Sequence, residues 1–178
     1  MKWAAMLRGI NLGKRQLKSA ELKAVVEEMG FTEVKTILAS GNVVFEAGDA
    51  KPEALECDLH TALEKATGLK SEVFVRNRAE LAELVENNPF PDEARERPSF
   101  LVVSFHRDPV DAAAIERVAQ SYDGPERMVV IGRELITDFP DGQGRSNLIP
   151  VMQKARLSQA NTGRNWNTVR KLLAALDG

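Results

Sequence analysis

In the N-terminal half of this chain the apolar residues switch between the two-residue spacing of a strand and the 3.6-residue spacing of a helix, in the order β-α-β-β-α-β. Residues 2–8 read as a short buried strand. Ser19 is a candidate N-cap for a helix with Leu22, Val25, Val26 and Met29 on one face, and Gly30 stops it. Residues 34–38 and 43–45 are β-rich runs flanking Ser40-Gly41-Asn42, which reads as a hairpin turn. Pro52 opens a second helix with Leu55, Leu59, Ala62, Leu63 and Ala66 inward, closed by Gly68, and residues 72–76 alternate as a strand. This is the order of a ferredoxin-like split βαβ unit. In such a unit the first two strands run parallel, so the loops that follow them share one edge of the sheet.

The pattern then restarts. Asn77 reads as the cap of a short helix reaching Val85, and the proline-rich, charged stretch 89–98 reads as a linker. Residues 100–105 read as a strand, Asp108-Pro109 as the start of a helix through Ala119, and 128–131 with 134–138 as a hairpin around Gly132-Arg133. Ser146 is a candidate cap for a further helix, and a last helix turns Val169, Leu172, Leu173 and Leu176 inward. The fold class expected is α+β, with two ferredoxin-like βαββα(β) units arranged as a structural duplication, plus a C-terminal helix. The boundaries expected are 1–88, a linker over 89–98, and 99–178, together one compact structural domain. The two halves show no visible sequence identity.

Composition narrows the class further. At 178 residues, 43% hydrophobic and 28% charged, the chain suits a globular protein with a full core. No apolar run approaches a membrane span and no leader-like segment opens the chain, so a cytoplasmic protein without membrane contact is expected. The single Cys57 allows neither a disulfide framework nor a thiolate metal cluster. Charge is uneven: residues 1–30 hold six basic and three acidic side chains, residues 154–178 five and one, and the middle carries the acidic excess. Basic ends that met in the fold would attract phosphates; basic residues at helix C-termini equally complement the helix dipole.

Several chemistries fail on the residues themselves. Gly9-Ile10-Asn11-Leu12-Gly13-Lys14-Arg15 is one residue short of a P-loop between its glycines and has Arg15 where a magnesium-binding Ser or Thr belongs. Gly142-Gln143-Gly144 lacks the third glycine and the βαβ setting of a dinucleotide fingerprint. The two histidines, His60 and His106, are far apart in the chain, so neither a metal site nor a cofactor is expected. Cys57 stands three residues before His60, a spacing that could put both on one helix face, but a nucleophile also needs a cleft and an oxyanion donor. No catalytic constellation is identifiable.

What remains are three glycine-polar knots, Arg8-Gly9-Ile10-Asn11-Leu12-Gly13, Ser40-Gly41-Asn42 and Thr162-Gly163-Arg164-Asn165-Trp166-Asn167-Thr168. Arg8 and Arg164 offer forked donors for a phosphate or carboxylate, and the amides of Asn11, Asn42 and Asn165 can donate and accept at once. Each also has a structural reading: Asn42 closing a hairpin, Asn165 capping the last helix, Arg8 bracing the sheet edge, Trp166 anchoring a helix. Together with Gly144-Arg145-Ser146 and Val43-Val44-Phe45, these motifs resemble the signatures of the bacterial domain of unknown function 1697 family over nearly the whole chain. The resemblance implies paired ferredoxin-like α+β units and brings no established activity. One departure is Asn147 after Ser146, where the family pattern more usually has lysine.

Two functions fit. The first is a small anionic-ligand domain, binding a nucleotide or phosphate-bearing metabolite, with Arg8 and Arg164 holding the anion, Asn11, Ser40, Asn42 and Asn165 orienting it, and Trp166 walling the pocket. The alternative is a nucleic-acid-binding or regulatory protein-interaction module, for which the strands offer Trp3, Phe45, Phe74 and Phe105 in no RNA-binding motif. The oligomeric state is open.

Overall fold

A computed structural model describes residues 1–11, 13–157 and 160–178 of the chain. Leu12, inside the first knot, lies outside the described residues. The chain groups into two units, residues 1–86 with 170–178, and residues 87–169. Among the described residues, no helix is long and apolar enough to cross a membrane.

The first unit contains β1 (Lys2–Leu7), α1 (Ser19–Glu28), β2 (Thr32–Thr36), β3 (Asn42–Glu46), α2 (Pro52–Thr67), β4 (Val73–Asn77) and α3 (Arg78–Glu86). Its sheet order is β2-β3-β1-β4, with every neighbouring pair antiparallel. β1 and β2 both oppose β3, so they point the same way. Trp3, Ala5 and Leu7 alternate onto one face with Val43, Phe45, Val73 and Val75, where they meet Leu22, Val25 and Val26 of α1 and Leu55, Leu59 and Leu63 of α2. Each such aliphatic side chain contributes about 1.5–3 kcal/mol on burial. Ala4, Met6, Val44 and Phe74 alternate to the opposite face and are buried too, and α3 packs on β1 and β4. That two-sided burial explains why β1 reads as an unbroken apolar run. Lys18, rather than Ser19, occupies the N-cap position of α1, its amide donating to the Glu21 carboxylate at 3.3 Å. Gly68 ends α2 in the left-handed region (φ +72°), its N–H donating to the Glu64 carbonyl at 2.8 Å.

The second unit runs α4 (Pro91–Glu96), β5 (Leu101–His106), α5 (Ala112–Ser121), β6 (Arg127–Ile131), β7 (Glu134–Asp138), α6 (Leu148–Lys154) and β8 (Asn161–Asn165). The last helix, α7 (Trp166–Asp177), begins within it, and residues 170–178 group with the first unit. The strand order, β6-β7-β5-β8, repeats that of the first sheet. Val102, Ile115, Val118, Leu135, Phe139, Leu148 and Met152 form its helix-facing core.

Three local outcomes differ from expectation. The closing strand of the second unit is formed by the third knot itself: Asn161–Asn165 pairs with β5 from Val102↔Asn165 to His106↔Asn161. Within 89–98, Pro91 starts α4, with Phe90 and Ala94 buried. Arg97 reaches from its end to the buried Asp138 carboxylate in a bidentate pair (3.0 and 2.8 Å), and Arg127 pairs with Glu93 and lies over the Phe90 ring, 5.2 Å from its centroid. Asp111, rather than Asp108, caps α5 by accepting from the Ala114 N–H at 3.1 Å.

Strand register also exposes an internal identity. Trp3 opposes Asn77 in the first sheet as Val102 opposes Asn165 in the second, which makes Arg76-Asn77 the counterpart of Arg164-Asn165, and Arg8 that of Arg107. The chemistry at the two junctions matches. Asn77 Oδ1 accepts from the Glu80 N–H at 2.9 Å, and Asn165 Oδ1 from the Thr168 N–H at 3.0 Å. Arg76 Nη1 donates to the Val75 carbonyl and Arg164 Nη1 to the Gly163 carbonyl, each at 2.8 Å.

Candidate functional site

Three loops leave or enter the first sheet at one edge: residues 8–18 after β1, residues 37–41 between β2 and β3, and residues 68–72 before β4. Antiparallel pairing requires this, because β1 ends where β3 and β4 begin. The loops are bonded to one another. The Leu7 N–H donates to the Gly41 carbonyl (2.8 Å), the Arg8 N–H to the Glu72 carbonyl (2.9 Å), and Ser71 Oγ–H to the Arg8 carbonyl (2.8 Å). Asn11 Nδ2 donates to the Ala39 carbonyl and Arg15 Nη2 to the Lys70 carbonyl. The first two knots therefore meet, as strand direction requires.

Most of the polar side chains in these knots serve the loops themselves. Asn11 sits at φ +60°, and its Oδ1 accepts from the Leu17 N–H at 2.8 Å. Asn42 is fully buried at the start of β3, its Nδ2 donating to the Ile37 carbonyl and to Ser40 Oγ, both at 2.8 Å. Ser40 is exposed beside it. Gly41 is required: its φ is +79°, and a Cβ there would lie 3.1 Å from the Leu7 Cβ and 3.2 Å from that of Ile10.

The cations of this edge face outward. The Arg8 side chain is 47% exposed and approaches Glu72 at 3.7 Å. Lys14, Arg15 and Lys18 are exposed, and a Cβ at Gly9 would meet the Arg15 Nη1 at 3.4 Å, which places that guanidinium over the loop. Lys70 is exposed and pairs with Glu64 at 3.5 Å. The loop is left-handed at Gly9 (φ +66°), Asn11 and Gly13 (φ +60°). Within it the Asn11 N–H donates to the Arg15 carbonyl at 2.6 Å.

The third knot is placed differently. Arg164, Asn165 and Trp166 stand at the β8–α7 junction of the second unit, whereas Arg8, Asn11, Ser40 and Asn42 belong to the first. Arg164 is 7% exposed and donates to Thr162 Oγ1 at 2.6 Å as well as to the Gly163 carbonyl. Burial pushes its guanidinium down to about 10. Trp166 is 1% exposed, its indole N–H without a hydrogen-bond partner among the described residues, and Asn165 caps α7. The strand aromatics Trp3, Phe45, Phe74 and Phe105 are all buried, so none presents a stacking face. Sequence reasoning passed over Arg15 and residues 70–72. The signal for them was topological: the segment entering β4 must lie where β1 ends.

Comparison with known proteins agrees with this architecture. A family model described as "Protein of unknown function (DUF1697)" matches residues 1–135, taking in the first two knots and ending before the third. Among solved structures, the conserved bacterial protein SP0830 from Streptococcus pneumoniae superposes with a TM-score of 0.75 at 21% identity, over 99% of this chain and 98% of that one. The two proteins share their fold. A search of curated proteins gave no significant match.

Proposed function

This chain belongs to the DUF1697 family, and we propose that the loop edge of its first unit binds a small phosphate-bearing ligand, a nucleotide or a phosphorylated metabolite, in the cytoplasm. The observation that carries the reading is the β1–α1 loop, left-handed at Gly9, Asn11 and Gly13, with the exposed guanidinium groups of Arg8 and Arg15 beside it. Forked guanidinium donors suit the oxygens of a phosphate. Asn11, Ser40 and Asn42 support the site from beneath by fixing the loops, and the Arg8–Glu72 pair gives way to the anion. Arg164, Asn165 and Trp166 serve the β8–α7 junction of the second unit. The exposed lone Cys57 suits a reducing compartment.

A thermal-shift series against inorganic phosphate, nucleotides, sugar phosphates, carboxylates and mixed oligonucleotides tests the reading. A ligand at about a hundred times its dissociation constant stabilises by roughly 2.7 kcal/mol, a readily visible shift. The shift is expected with phosphate-bearing small molecules, and is expected to vanish in the Arg8→Ala, Arg15→Ala double variant. It should survive in Arg107→Ala, the counterpart in the second unit. A shift that persists in the double variant, or that only oligonucleotides produce, rejects the small-ligand reading.

A further inference from the structure

The two sheets treat their edge strands in opposite ways. In the first sheet, β2 carries Glu33 at φ +53° with a register shift against β3 between Thr32 and Lys35, and both charged side chains are exposed. Such a bulge bends an edge away from partners. On the other side, β4 is closed by carboxylates: the Val75 N–H donates to buried Glu56 at 3.0 Å and the Asn77 N–H to Glu80 at 2.8 Å. Backbone donors on that edge are thus occupied from within the unit.

Among the described residues, β6 has neither device. It is the terminal strand of the second sheet and pairs with β7 in unbroken register from Arg127↔Asp138 to Ile131↔Glu134. Its sequence is Arg-Met-Val-Val-Ile, with no glycine, no proline and one charge, at its first residue. Met128 and Val130 pack toward the helix-facing core, and Val129 and Ile131, half-buried, alternate to the opposite face. A straight, apolar edge of this kind is a template for another strand.

The geometry points to a second copy of this chain as the occupant, with β6 pairing antiparallel to β6 across a twofold axis to continue the sheet. A twofold interface needs a self-complementary surface, and this strand is one. Reversed about Val129, it sets Met128 against Val130 and Arg127 against Ile131. Apolar side chains then meet apolar ones at the three central positions, and the two Arg127–Ile131 pairs fall at opposite ends of the seam. Five residues span only about 17 Å, so the dimer is a weak, concentration-dependent one.

Sedimentation velocity over a wide concentration range tests this, combined with hydrogen exchange at the β6 amides. A reversible dimer is expected, with β6 amides exchanging more slowly as concentration rises. Val129→Lys should weaken the dimer roughly tenfold or more by setting two like charges at the centre of the seam. Val129→Thr, which keeps a β-branched side chain, should retain it. A protein that stays monomeric with concentration-independent exchange at β6 overturns the proposal, and so does a dimer that Val129→Lys forms as readily as the parent. Should Val129→Lys fail to fold, the exchange measurement on the unaltered chain decides.

Discussion

The loop after β1 in the first unit runs from residue 8 to 18; its counterpart after β5 runs only from 107 to 111. The β2–β3 connection spans 37–41, while β6 and β7 are joined by the two residues Gly132-Arg133. Around these unequal loops the strand order is the same, and so is the Arg-Asn junction that ends the fourth strand and caps the next helix. What both units hold in common is what closes the sheet and starts a helix. What differs lies at the edge where strands hand over to loops, and there the first unit has gathered glycines and cations. Two copies of one scaffold thus separate the residues that build it from those available for binding.

The sharpest way to break this comparison is at the two turns. Gly41→Ala forces a Cβ into a left-handed residue against Leu7 and Ile10, so a loss of about 2–4 kcal/mol is expected from strain and overpacking together. Gly132→Ala, also at positive φ (+58°) but with nothing within 4 Å of the added carbon, should cost only about 1 kcal/mol. Chemical denaturation of both variants checks the ratio. Equal losses would mean that the close packing of the first turn contributes nothing.

The shared junction gives the next effect. Asn77→Ala and Asn165→Ala should each cost about 1 kcal/mol, the worth of an N-cap, measured by the same denaturation. Asn165→Ala should be the larger of the two, because Thr168 Oγ1 also donates to that carboxamide oxygen at 3.2 Å.

The smallest effect is one of pH, in the second unit. Burial acts to raise the Glu126 carboxyl, but hydrogen bonds from Ser146 and Tyr122 outweigh it and hold the group below its ordinary range. A lowered carboxyl stabilises the fold above the unfolded carboxylate range, and that contribution fades as pH falls through the folded value. Tyr122 is raised, by burial and by its bond to Glu126 (2.7 Å), so its contribution holds below the ordinary tyrosine range and fades as pH rises through the folded value. Both groups are half-buried, and each change should stay under about 1 kcal/mol. Unfolding followed from pH 3 to 6 should show a shallower slope in Glu126→Gln than in the parent.

Legibility in the sequence followed the strength of local signals. β1, α1, α2 and the β6–β7 hairpin are strongly periodic and are bounded by glycine or proline, and they stand where that pattern puts them. β8 was invisible because Asn-Thr-Gly-Arg-Asn has little strand propensity; its pairing with the apolar β5 makes it a strand. α4 was hidden by prolines that read as breakers, although Pro91 stands where a helix tolerates one, in its first turn. At the site, the meeting of the first two knots could be derived from strand direction alone. The burial of Arg164 and Trp166 could not, since a polar stretch at a strand–helix junction looks the same whether it faces water or the interior. Glu56 is the same case: a carboxylate on a helix reads as a solvent-facing residue, and the β4 amide that donates to it is distant in the sequence.

The membership of residues 170–178 has a consequence for the order in which the protein is made. A ribosome delivers residues 1–86 first, and an N-terminal unit ordinarily folds as soon as it emerges. Here that unit includes the last turns of α7, with Leu172 and Leu176 buried and Asp177 paired with Arg78. That unit is thus completed only after the second has been synthesised. Until residues 170–178 have emerged, its nascent form keeps uncovered the apolar surface those leucines will meet, and synthesis of the intervening second unit, not emergence of residues 1–86, sets the moment at which it can reach its final state.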